Sequence, residues 1–259
     1  MSRPGRVQSV ERVVELLEAL GHSGTSLSAR ELSQQAGLPR PTVYRLLQTL
    51  ESRGLVQCHN GHYAVGPKIL WLAAQRLEQL ELRSVGRPHL AQLRDESGET
   101  CHLAVLEQGK VVYIDKVESF GPLRMASAVG KIMPAHCTAL GKAMLSLLAQ
   151  AEVDDILAGH GMATRTPRTI TDPTLFHEEL RRVRERGFAI DDIENEEGIR
   201  CVGAAVLDHR GQVAGALSVS GSAASVTQDR AVQVIGPMVL ATARLISTAL
   251  GWDPNRASG

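Results

Sequence analysis

The sequence predicts an α+β protein in which a small helical domain with one β-hairpin precedes a larger domain of mixed strands and helices. Three observations support this class. Two short amphipathic segments are separated by Gly37-Leu38-Pro39, the dipeptide Asn60-Gly61 marks a tight hairpin, and the apolar periodicity changes from helical to alternating at Glu99. The chain of 259 residues is long enough for two domains, each with its own core.

The segments at 29–36 and 39–53 have the spacing of a helix-turn-helix. Pro39 and Pro41 stand at the start of the second segment, where proline is tolerated because the first N–H groups of a helix lack intrahelical partners. One face of this segment is apolar at the spacing i, i+3, i+4, i+7, through Val43, Leu46, Leu47 and Leu50. The opposite face carries side chains that bind phosphates or base edges, namely Arg40, Thr42, Tyr44, Arg45 and Gln48.

Flanking segments distinguish two interpretations of this helix pair. Taken alone, the pair is also consistent with an ordinary αα-hairpin whose polar face is solvated. A downstream hairpin at 55–65 adds a two-stranded wing, and an upstream helical stripe adds a third helix with Val10, Val13, Val14, Leu17 and Leu20. We therefore predict a winged helix-turn-helix that binds double-stranded DNA through the reading helix 39–53. Ser28 joins the five polar residues of that helix as a predicted DNA contact.

Charge and composition limit how this domain can bind. The whole chain has a formal net charge of zero, and residues 1–65 contain seven Arg, no Lys and five Glu, a balance of +2. DNA affinity must therefore come from a few well-placed arginines used in two copies. Arg3 and Arg6 form either a flexible arm along a groove or a solvated tail. Aromatic residues make up only 3% of the chain, which disfavours a stacking platform for single strands.

Cysteine usage and hydropathy predict a cytoplasmic protein. The four cysteines, Cys58, Cys101, Cys137 and Cys201, show no CxxC spacing, as is typical of free thiols in a reducing compartment. The sequence shows neither a signal peptide nor an apolar run of about 18 residues, so we expect no membrane partner. We also expect no cofactor.

A linker helix is predicted between the two domains. We expect a DNA-binding domain at 1–66, the linker helix at 67–82, the second domain at 83–252 and a disordered tail at 253–259. Apolar residues cover much of the circumference of 69–82, so one partner surface would leave part of it exposed. Packing against both its own chain and another subunit would bury this helix, which predicts a homodimer or a dimer of dimers.

The second domain alternates between groups of strands and groups of helices. This mixed order predicts an α+β sensor domain. The expected elements are strands at 100–106, 110–117 and 123–129, helices at 137–148, 150–158 and 172–187, strands at 189–194, 200–207 and 212–220, and a final helix at 227–250 that Pro237 would kink.

The hairpin at 200–220 predicts one polar sheet face. If 208–211 is a four-residue loop, Leu207 faces Gln212 and Cys201 lies opposite Ser218. Ser218 and Ser220 then share a face with Cys201, because side chains two apart on a strand point the same way. The other residues of that face are small, and an apolar opposite face carries Val202, Val206, Leu217 and Val219. A solvated face is the alternative, but the absence of large charged residues favours a covered cavity for a small polar molecule.

The helix start at 134–143, PAHCTALGKA, provides a second binding feature. Thr138 is a candidate N-cap, so the backbone N–H groups of Ala139 and Leu140 would point out of the first turn. Such amides bind an anion without a charged side chain. A helix start that bonds only to water is the alternative.

Four segments together resemble the IclR family of bacterial transcription regulators over residues 7–250. They are QSVERVVELLEAL, ARELSQQAGLPRPTVYRLLQTLESRGLV, PAHCTALGKAML and the quite specific DDIENEEGIRCVGAAVLDHRGQVAGALSVSG. The resemblance implies a winged helix-turn-helix, a linker helix and a GAF-like α/β effector-binding domain. It also implies dimers or tetramers that bind palindromic operators and a repressor of a catabolic operon gated by an organic or aromatic acid.

The resemblance also implies the effector site. Family members that sense small organic acids hold them with a carboxylate, a thiol, two serines and two backbone amides. By position these fall on Asp191, Cys201, Ser218, Ser220, Ala139 and Leu140. Leu140 is larger than expected at its position, which narrows the predicted cavity. Because an ionised Asp191 would repel a carboxylate unless it meets a donor or is protonated, we expect a small acid that also carries a hydroxyl, an amine or a hydrated carbonyl.

The expected mechanism is gating by geometry. Effector closes or orders the second domain, and the linker helix passes that change to the spacing of two reading helices. The affinity for the operator then changes because the two reading helices must bind both half-sites at the same time.

Two other classes remain open. A cysteine-dependent enzyme would use Cys201 or Cys137 with His136 and Asp191, although Cys201 sits mid-strand and not at a helix N-terminus that stabilises a thiolate. A metal sensor would use the adjacent pairs Cys101-His102 and His136-Cys137. Adjacent side chains on a strand diverge, so four ligands would have to converge from distant segments.

Overall fold

The computed structural model describes residues 7–78, 81–121 and 126–253, and at 76–78 the backbone only. The chain divides into two compact units between residues 79 and 80. The predictions for Arg3 and Arg6, for positions 79 and 80 of the linker and for the tail beyond residue 253 lie outside the described residues.

The first unit combines short helices with a small antiparallel sheet. Its strand order is β1-β3-β2, so the predicted hairpin pairs with a short strand that precedes α2. This arrangement confirms the predicted winged helix-turn-helix, in which α3 occupies the position of the predicted reading helix. The elements are α1 (Gln8–Ser23), β1 (Leu27–Ser28), α2 (Ala29–Gln35), α3 (Arg40–Ser52), β2 (Val56–His59), β3 (His62–Val65) and α4 (Pro67–Glu78).

The core of the first unit differs from the predicted stripe on α1. Leu16 and Leu20 are buried, whereas Val10 and Val14 are 57% and 46% exposed. The prediction that Val10 and Val14 face the core is therefore wrong, because the inward face of α1 carries Leu16 and Leu20, with Val13 and Leu17 packed partly against the same cluster. On α3, Val43, Leu47 and Leu50 are buried as predicted, and Leu46 packs partly against the same cluster.

Two tight turns hold this unit in shape. The α2–α3 turn passes through Gly37 at φ +62°, and the Ser33 hydroxyl donates to the Leu38 carbonyl at 2.6 Å. The wing turns at Asn60 (φ 50°) and Gly61 (φ 77°), the two positive φ angles that its hairpin type requires.

A helix, α4, occupies the position of the predicted linker. α4 covers Pro67–Glu78, and Leu82 lies in the next helix, α5 (Glu81–Ser97), where it is buried. Residues 79 and 80, between these two helices, lie outside the described residues, so the C-terminal end of the predicted linker helix stays a prediction.

The second unit is a six-stranded antiparallel sheet with helices on both faces. The strand order is β6-β5-β4-β9-β8-β7. Its elements after α5 are β4 (Thr100–Glu107), β5 (Lys110–Val117), β6 (Ile132–Pro134), α6 (Ala139–Leu145), α7 (Gln150–His160), α8 (Pro173–Arg186), β7 (Ala189–Asp192), β8 (Ile199–Leu207), β9 (Val213–Ser222), α9 (Gln228–Arg230), a π turn (Ala231–Ile235) and α10 (Gly236–Ala249).

The two sheet faces have different partners. α5 and α10 pack on the apolar face, where a Cβ on Gly86 of α5 would lie 2.8 Å from the side chain of Leu103 and 3.8 Å from that of Ile246. α6 packs on the other face and joins α8 in a core cluster that includes Met144 and Phe176. The face predicted to be polar and covered is thus covered by α6.

Two predicted elements of this unit need correction or refinement. No strand forms at 126–129, and the rest of the predicted third strand at 122–125 lies outside the described residues. The third strand of this part of the sheet is β6, which pairs with the edge of β5 that β4 leaves open. The predicted final helix is a continuous helical stretch at 228–249, and a π turn precedes Pro237. This stretch of 22 residues is long and apolar enough to cross a membrane by length and composition alone, but it packs on β8 and α5 as a core helix.

The register of the β8–β9 hairpin also differs from the prediction. Leu207 faces Val213, and Cys201 lies opposite Ser220, not Ser218. One residue of the difference comes from a longer loop, and one comes from a register shift between Val206 and Leu207. Because the two changes add up to two residues, the predicted face of each side chain is unchanged.

Candidate functional site

The reading helix presents its predicted DNA contacts away from the core. Arg40, Tyr44, Arg45 and Gln48 are exposed, and Thr42 is partly buried at the edge of the same face. Val43, Leu47 and Leu50 hold the opposite face against the rest of the domain. The role of these polar residues in DNA binding stays a prediction.

Ser28 has a defined role within the domain itself. Its hydroxyl accepts the backbone N–H of Glu31 at 3.3 Å, and the Glu31 carboxylate accepts the backbone N–H of Ser28 at 2.7 Å. This capping box fixes the start of α2 and lowers the pKa of Glu31. The hydroxyl therefore serves the fold, and contact of Ser28 with DNA stays a prediction.

A buried cavity in the second unit brings all six predicted effector residues together. Ala139, Leu140, Asp191, Cys201, Ser218 and Ser220 all line it. The cavity has a volume of about 30 Å³, room for one or two water molecules. Ser218 and Ser220 are buried, which disfavours the alternative of a solvated sheet face for this part of β9.

Neighbouring strands position the side chains of this cavity. Asp191 of β7 lies opposite Cys201 of β8, and Cys201 lies opposite Ser220 of β9. A Cβ on Gly203 would lie 3.0 Å from the Leu217 oxygen and 3.2 Å from the Ala139 carbonyl carbon. Glycine at this position therefore lets the start of α6 approach the sheet. The sequence identifies position 203 only as one of several small residues on this face.

Thr138 caps α6 as predicted. Its hydroxyl accepts the backbone N–H of Gly141 at 3.2 Å and donates to the Pro134 carbonyl at 2.9 Å. The N–H groups of Ala139 and Leu140 belong to the first turn and so have no intrahelical acceptor. Gly141 is required here as well, because a Cβ would lie 2.1 Å from the Ala135 oxygen.

Asp191 is the buried acidic group of the cavity, and Glu196 lines its exposed rim. Oδ1 of Asp191 accepts the backbone N–H of Glu194 at 2.7 Å and that of Asn195 at 3.2 Å. Burial raises the pKa of Asp191 to about 7, although the nearby Lys142 ammonium opposes this shift. The carboxyl group can therefore be neutral or ionised near neutral pH.

A buried ion pair that the sequence did not indicate lies behind Asp191. Lys142 of α6 is fully buried, and its ammonium donates to the Ile190 carbonyl at 2.5 Å and to Oε1 of Glu194. Among the described residues, Oε2 of Glu194 is buried without a hydrogen-bond partner. Burial raises the pKa of Glu194. The one available signal was a single lysine within the otherwise apolar helix ALGKAML.

His102 and Tyr113 complete the cavity wall, and the sequence singled out neither for this role. Their rings stack with centroids 4.9 Å apart. His102 contacts the hydroxyls of Ser127 and Ser220 through its two ring nitrogens. These residues come from β4 and β5, far along the chain from the hairpin that the sequence pointed to.

The thiols and histidines of the second unit disfavour nucleophilic catalysis. Burial raises the pKa of Cys101 and Cys137 to about 12 and also raises that of Cys201, so all three remain protonated near neutral pH. Burial lowers the pKa of His136, and its Nε2 bonds to the Ala163 carbonyl at 3.1 Å. The described part of the chain contains no group of three or more His, Cys, Asp or Glu placed to hold a metal ion.

Comparison with known proteins assigns a family model to each of the two units. Residues 9–58 match the IclR helix-turn-helix domain, and residues 74–248 match the C-terminal domain of the bacterial transcriptional regulator IclR. The acetate operon repressor of Salmonella typhimurium is 36% identical over 251 residues, which cover 95% of this chain and 91% of that protein.

Solved structures share the fold of the whole chain. The IclR of Thermotoga maritima aligns with a TM-score of 0.77 at 29% identity and covers 95% of this chain and 100% of its own. An IclR homologue from Microbacterium hydrocarbonoxydans, complexed with 4-hydroxybenzoate, aligns with a TM-score of 0.82 at 23% identity, covering 97% and 100%. With both family domains present in order and a repressor aligned along almost its whole length, this chain belongs to the IclR family of bacterial transcription regulators.

Proposed function

We propose that this chain is a repressor of a catabolic operon and that a small carboxylic acid, bound in the cavity of the second unit, sets its affinity for operator DNA. One observation carries this proposal. Six residues from α6, β7, β8 and β9, separated by up to about 80 positions in the sequence, line a single buried cavity. Its donors are of the kind that bind an anion: two serine hydroxyls and the backbone amides at the start of α6.

The chemistry of the cavity defines the class of effector. The serines and amides suit a carboxylate, whereas an ionised Asp191 opposes one. A hydroxyl on the acid would donate to Asp191 and remove that conflict, so a 2-hydroxy acid fits better than its deoxy analogue. Family relatives regulate transcription, and the protonated thiol of Cys201 in the cavity also favours binding over turnover.

The size of the cavity favours a short acid. The cavity has a volume of only about 30 Å³, and we propose that it expands when an acid of two or three carbons enters. Leu140 is almost fully buried and packs in the α6–α8 core cluster, which supports the narrowing predicted from its size. An expansion on binding would displace α6, and this displacement is the conformational signal that we propose for effector binding.

Two copies of the chain are needed to read an operator. In such a dimer the two reading helices bind half-sites about 34 Å apart on a palindromic duplex. We propose that this binding takes place in the bacterial cytoplasm. α4 supports self-association because Leu70, Trp71 and Leu72 are exposed, Leu70 by 72%. We propose a homodimer or dimer of dimers in which α4 transmits effector binding to the spacing of the two copies of α3.

Calorimetric titration of the full chain at pH 8 tests the effector class. We expect glycolate and lactate to bind about tenfold more tightly than acetate and propionate, because the ligand hydroxyl donates to ionised Asp191. Asp191→Ala should abolish this preference, and Asp155→Ala, which removes an exposed carboxylate of α7, should leave it unchanged. Equal affinity for the hydroxy acids and their deoxy analogues would remove the role given to Asp191.

A further inference from the structure

His102 stands in the cavity wall with a serine hydroxyl at each ring nitrogen. Its Nε2 lies 2.7 Å from Oγ of Ser127, and its Nδ1 lies 3.4 Å from Oγ of Ser220. The ring is held in place by the stack on Tyr113 and is only 2% exposed. It therefore connects two hydroxyls that line the cavity, that of Ser220 on β9 and that of Ser127 on the segment between β5 and β6.

The imidazole must be neutral in this position. Burial lowers the pKa of His102 to about 3, and the nearby ammonium groups of Lys116 and Lys131 disfavour the cation further. A neutral imidazole has one N–H donor and one nitrogen lone pair. The two serine contacts must therefore run in opposite directions: one is donated by the ring and the other is accepted by it.

The direction of the Nδ1 contact determines what Ser220 offers the cavity. If Nδ1 carries the proton, it donates to Ser220, and the hydroxyl hydrogen of Ser220 is free to donate to a ligand. If Nε2 carries the proton, Ser220 donates to Nδ1 and presents only lone pairs to the cavity. The first state suits a carboxylate, and the second opposes a carboxylate and suits a ligand donor.

We infer that His102 is a positioning residue for the effector, whose Nδ1–H tautomer is selected by a bound carboxylate and makes Ser220 a donor. In that tautomer Nε2 accepts from Ser127, so the hydroxyl of Ser127 must rotate to donate to the ring. Ser127 also accepts Lys116 Nζ at its carbonyl, at 2.8 Å. Binding of the anion is thus transmitted along a chain of hydrogen bonds, from Ser220 through His102 to Ser127, and so reaches the segment at 126–131. This inference rests on the proposed binding of a carboxylic acid in the cavity.

Nitrogen NMR of the intact protein tests the relay directly. Two-bond ¹H–¹⁵N correlations of the full chain labelled in histidine distinguish the two neutral tautomers, and a His102→Gln variant assigns the signals. At saturating glycolate we expect His102 as the Nδ1–H tautomer alone. A ring that stays in the Nε2–H form, or keeps the tautomer mixture of the free protein, would overturn the inference.

A substitution at Ser127 provides an independent measurement. Ser127→Ala removes the donor to Nε2 and should weaken glycolate binding about tenfold, but leave the binding of neutral glycolamide within about twofold. Ser84→Ala, which removes an exposed hydroxyl of α5, serves as the matched control and should change neither affinity. Equal loss of affinity for glycolate and glycolamide in Ser127→Ala would contradict the relay.

The outcomes separate this inference from the function on which it rests. If glycolate binds and His102 does not change its tautomer, the relay is wrong and the proposed effector class stands. If none of the four hydroxy and deoxy acids binds, both proposals fail.

Discussion

Lys142 and Glu194 form an ion pair behind the effector cavity, and both side chains are almost completely buried. Lys142 lies on α6, the helix whose first amides line the cavity, and its ammonium also holds the carbonyl of Ile190 on β7. Glu194 in turn donates its backbone N–H to Asp191. The ion pair therefore fixes the distance between the proposed anion-binding amides and the acidic group that faces them.

Breaking this pair should destabilise the second unit strongly. Lys142→Met leaves Glu194 buried without its counter-charge, and we expect the free energy of unfolding to fall by about 3–5 kcal/mol in urea denaturation. Lys142→Met combined with Glu194→Gln should recover part of this loss, because no charge is then left unpaired. Lys110→Met at an exposed position is the control, with an expected change within about 0.5 kcal/mol. Equal stability of the Lys142 and Lys110 variants would contradict the role of the pair.

The preference for hydroxy acids should depend on pH. Asp191, with a pKa of about 7, is mostly protonated at pH 6 and mostly ionised at pH 8.5. Ionised Asp191 repels acetate. The affinity for acetate should therefore decrease above pH 7, by at most about tenfold for each pH unit. Glycolate should lose less, because its hydroxyl can donate to the ionised group. The glycolate-to-acetate affinity ratio should therefore rise from pH 6 to pH 8.5.

Asp191→Asn provides the control for this pH dependence. The asparagine keeps the size of the side chain but does not titrate, so the affinity ratio should be constant over the same pH range. A ratio that rises equally in both proteins would assign the titration to another group.

Arg45 of the reading helix should act on DNA binding alone. Arg45→Ala is expected to weaken operator binding at every salt concentration and to reduce the slope of log affinity against log salt by about one per reading helix, if the side chain contacts a phosphate. Fluorescence anisotropy measures both quantities, and effector affinity should stay unchanged. Arg182→Ala removes an exposed arginine of the second unit and should leave operator binding intact. If Arg45→Ala behaves like this control, the proposed orientation of α3 is wrong.

The cysteines should differ sharply in reactivity. Cys58 is half-buried in the wing, whereas Cys101, Cys137 and Cys201 have raised pKa values through burial. Iodoacetamide at pH 7.5 should therefore modify Cys58 first, as read by peptide mass spectrometry, and all four cysteines should react in urea. Rapid alkylation of folded Cys137 would instead support the nucleophile of a cysteine-dependent enzyme.

The elements with strong local signals were predictable from sequence. The apolar spacing of α3, the Asn60-Gly61 turn and the Thr138 cap each involve residues within a few positions of one another. The β8–β9 register was wrong by two residues, because neither the longer loop nor the shift at Val206 has a local signature. The face of Cys201 was nevertheless correct, since a shift of two preserves the alternation of side chains.

The missed residues of the site owe their roles to distant partners. Lys142 meets Ile190 and Glu194 only after α6 folds onto the sheet, 48 and 52 positions away. His102 and Ser220 are 118 positions apart. A lysine or a histidine viewed alone is usually read as a surface residue, and only the fold reveals that both are buried.

One measurement tests the central claim, that effector binding in the second unit controls DNA binding by the first. Fluorescence anisotropy with duplexes from the region upstream of the gene for this chain measures operator affinity with and without saturating glycolate. We expect specific binding in the nanomolar range that glycolate changes at least fivefold, and an Asp191→Ala protein that binds the same DNA but no longer responds. A protein that binds none of these duplexes above its non-specific affinity, or binds equally with every acid tested, would contradict the claim.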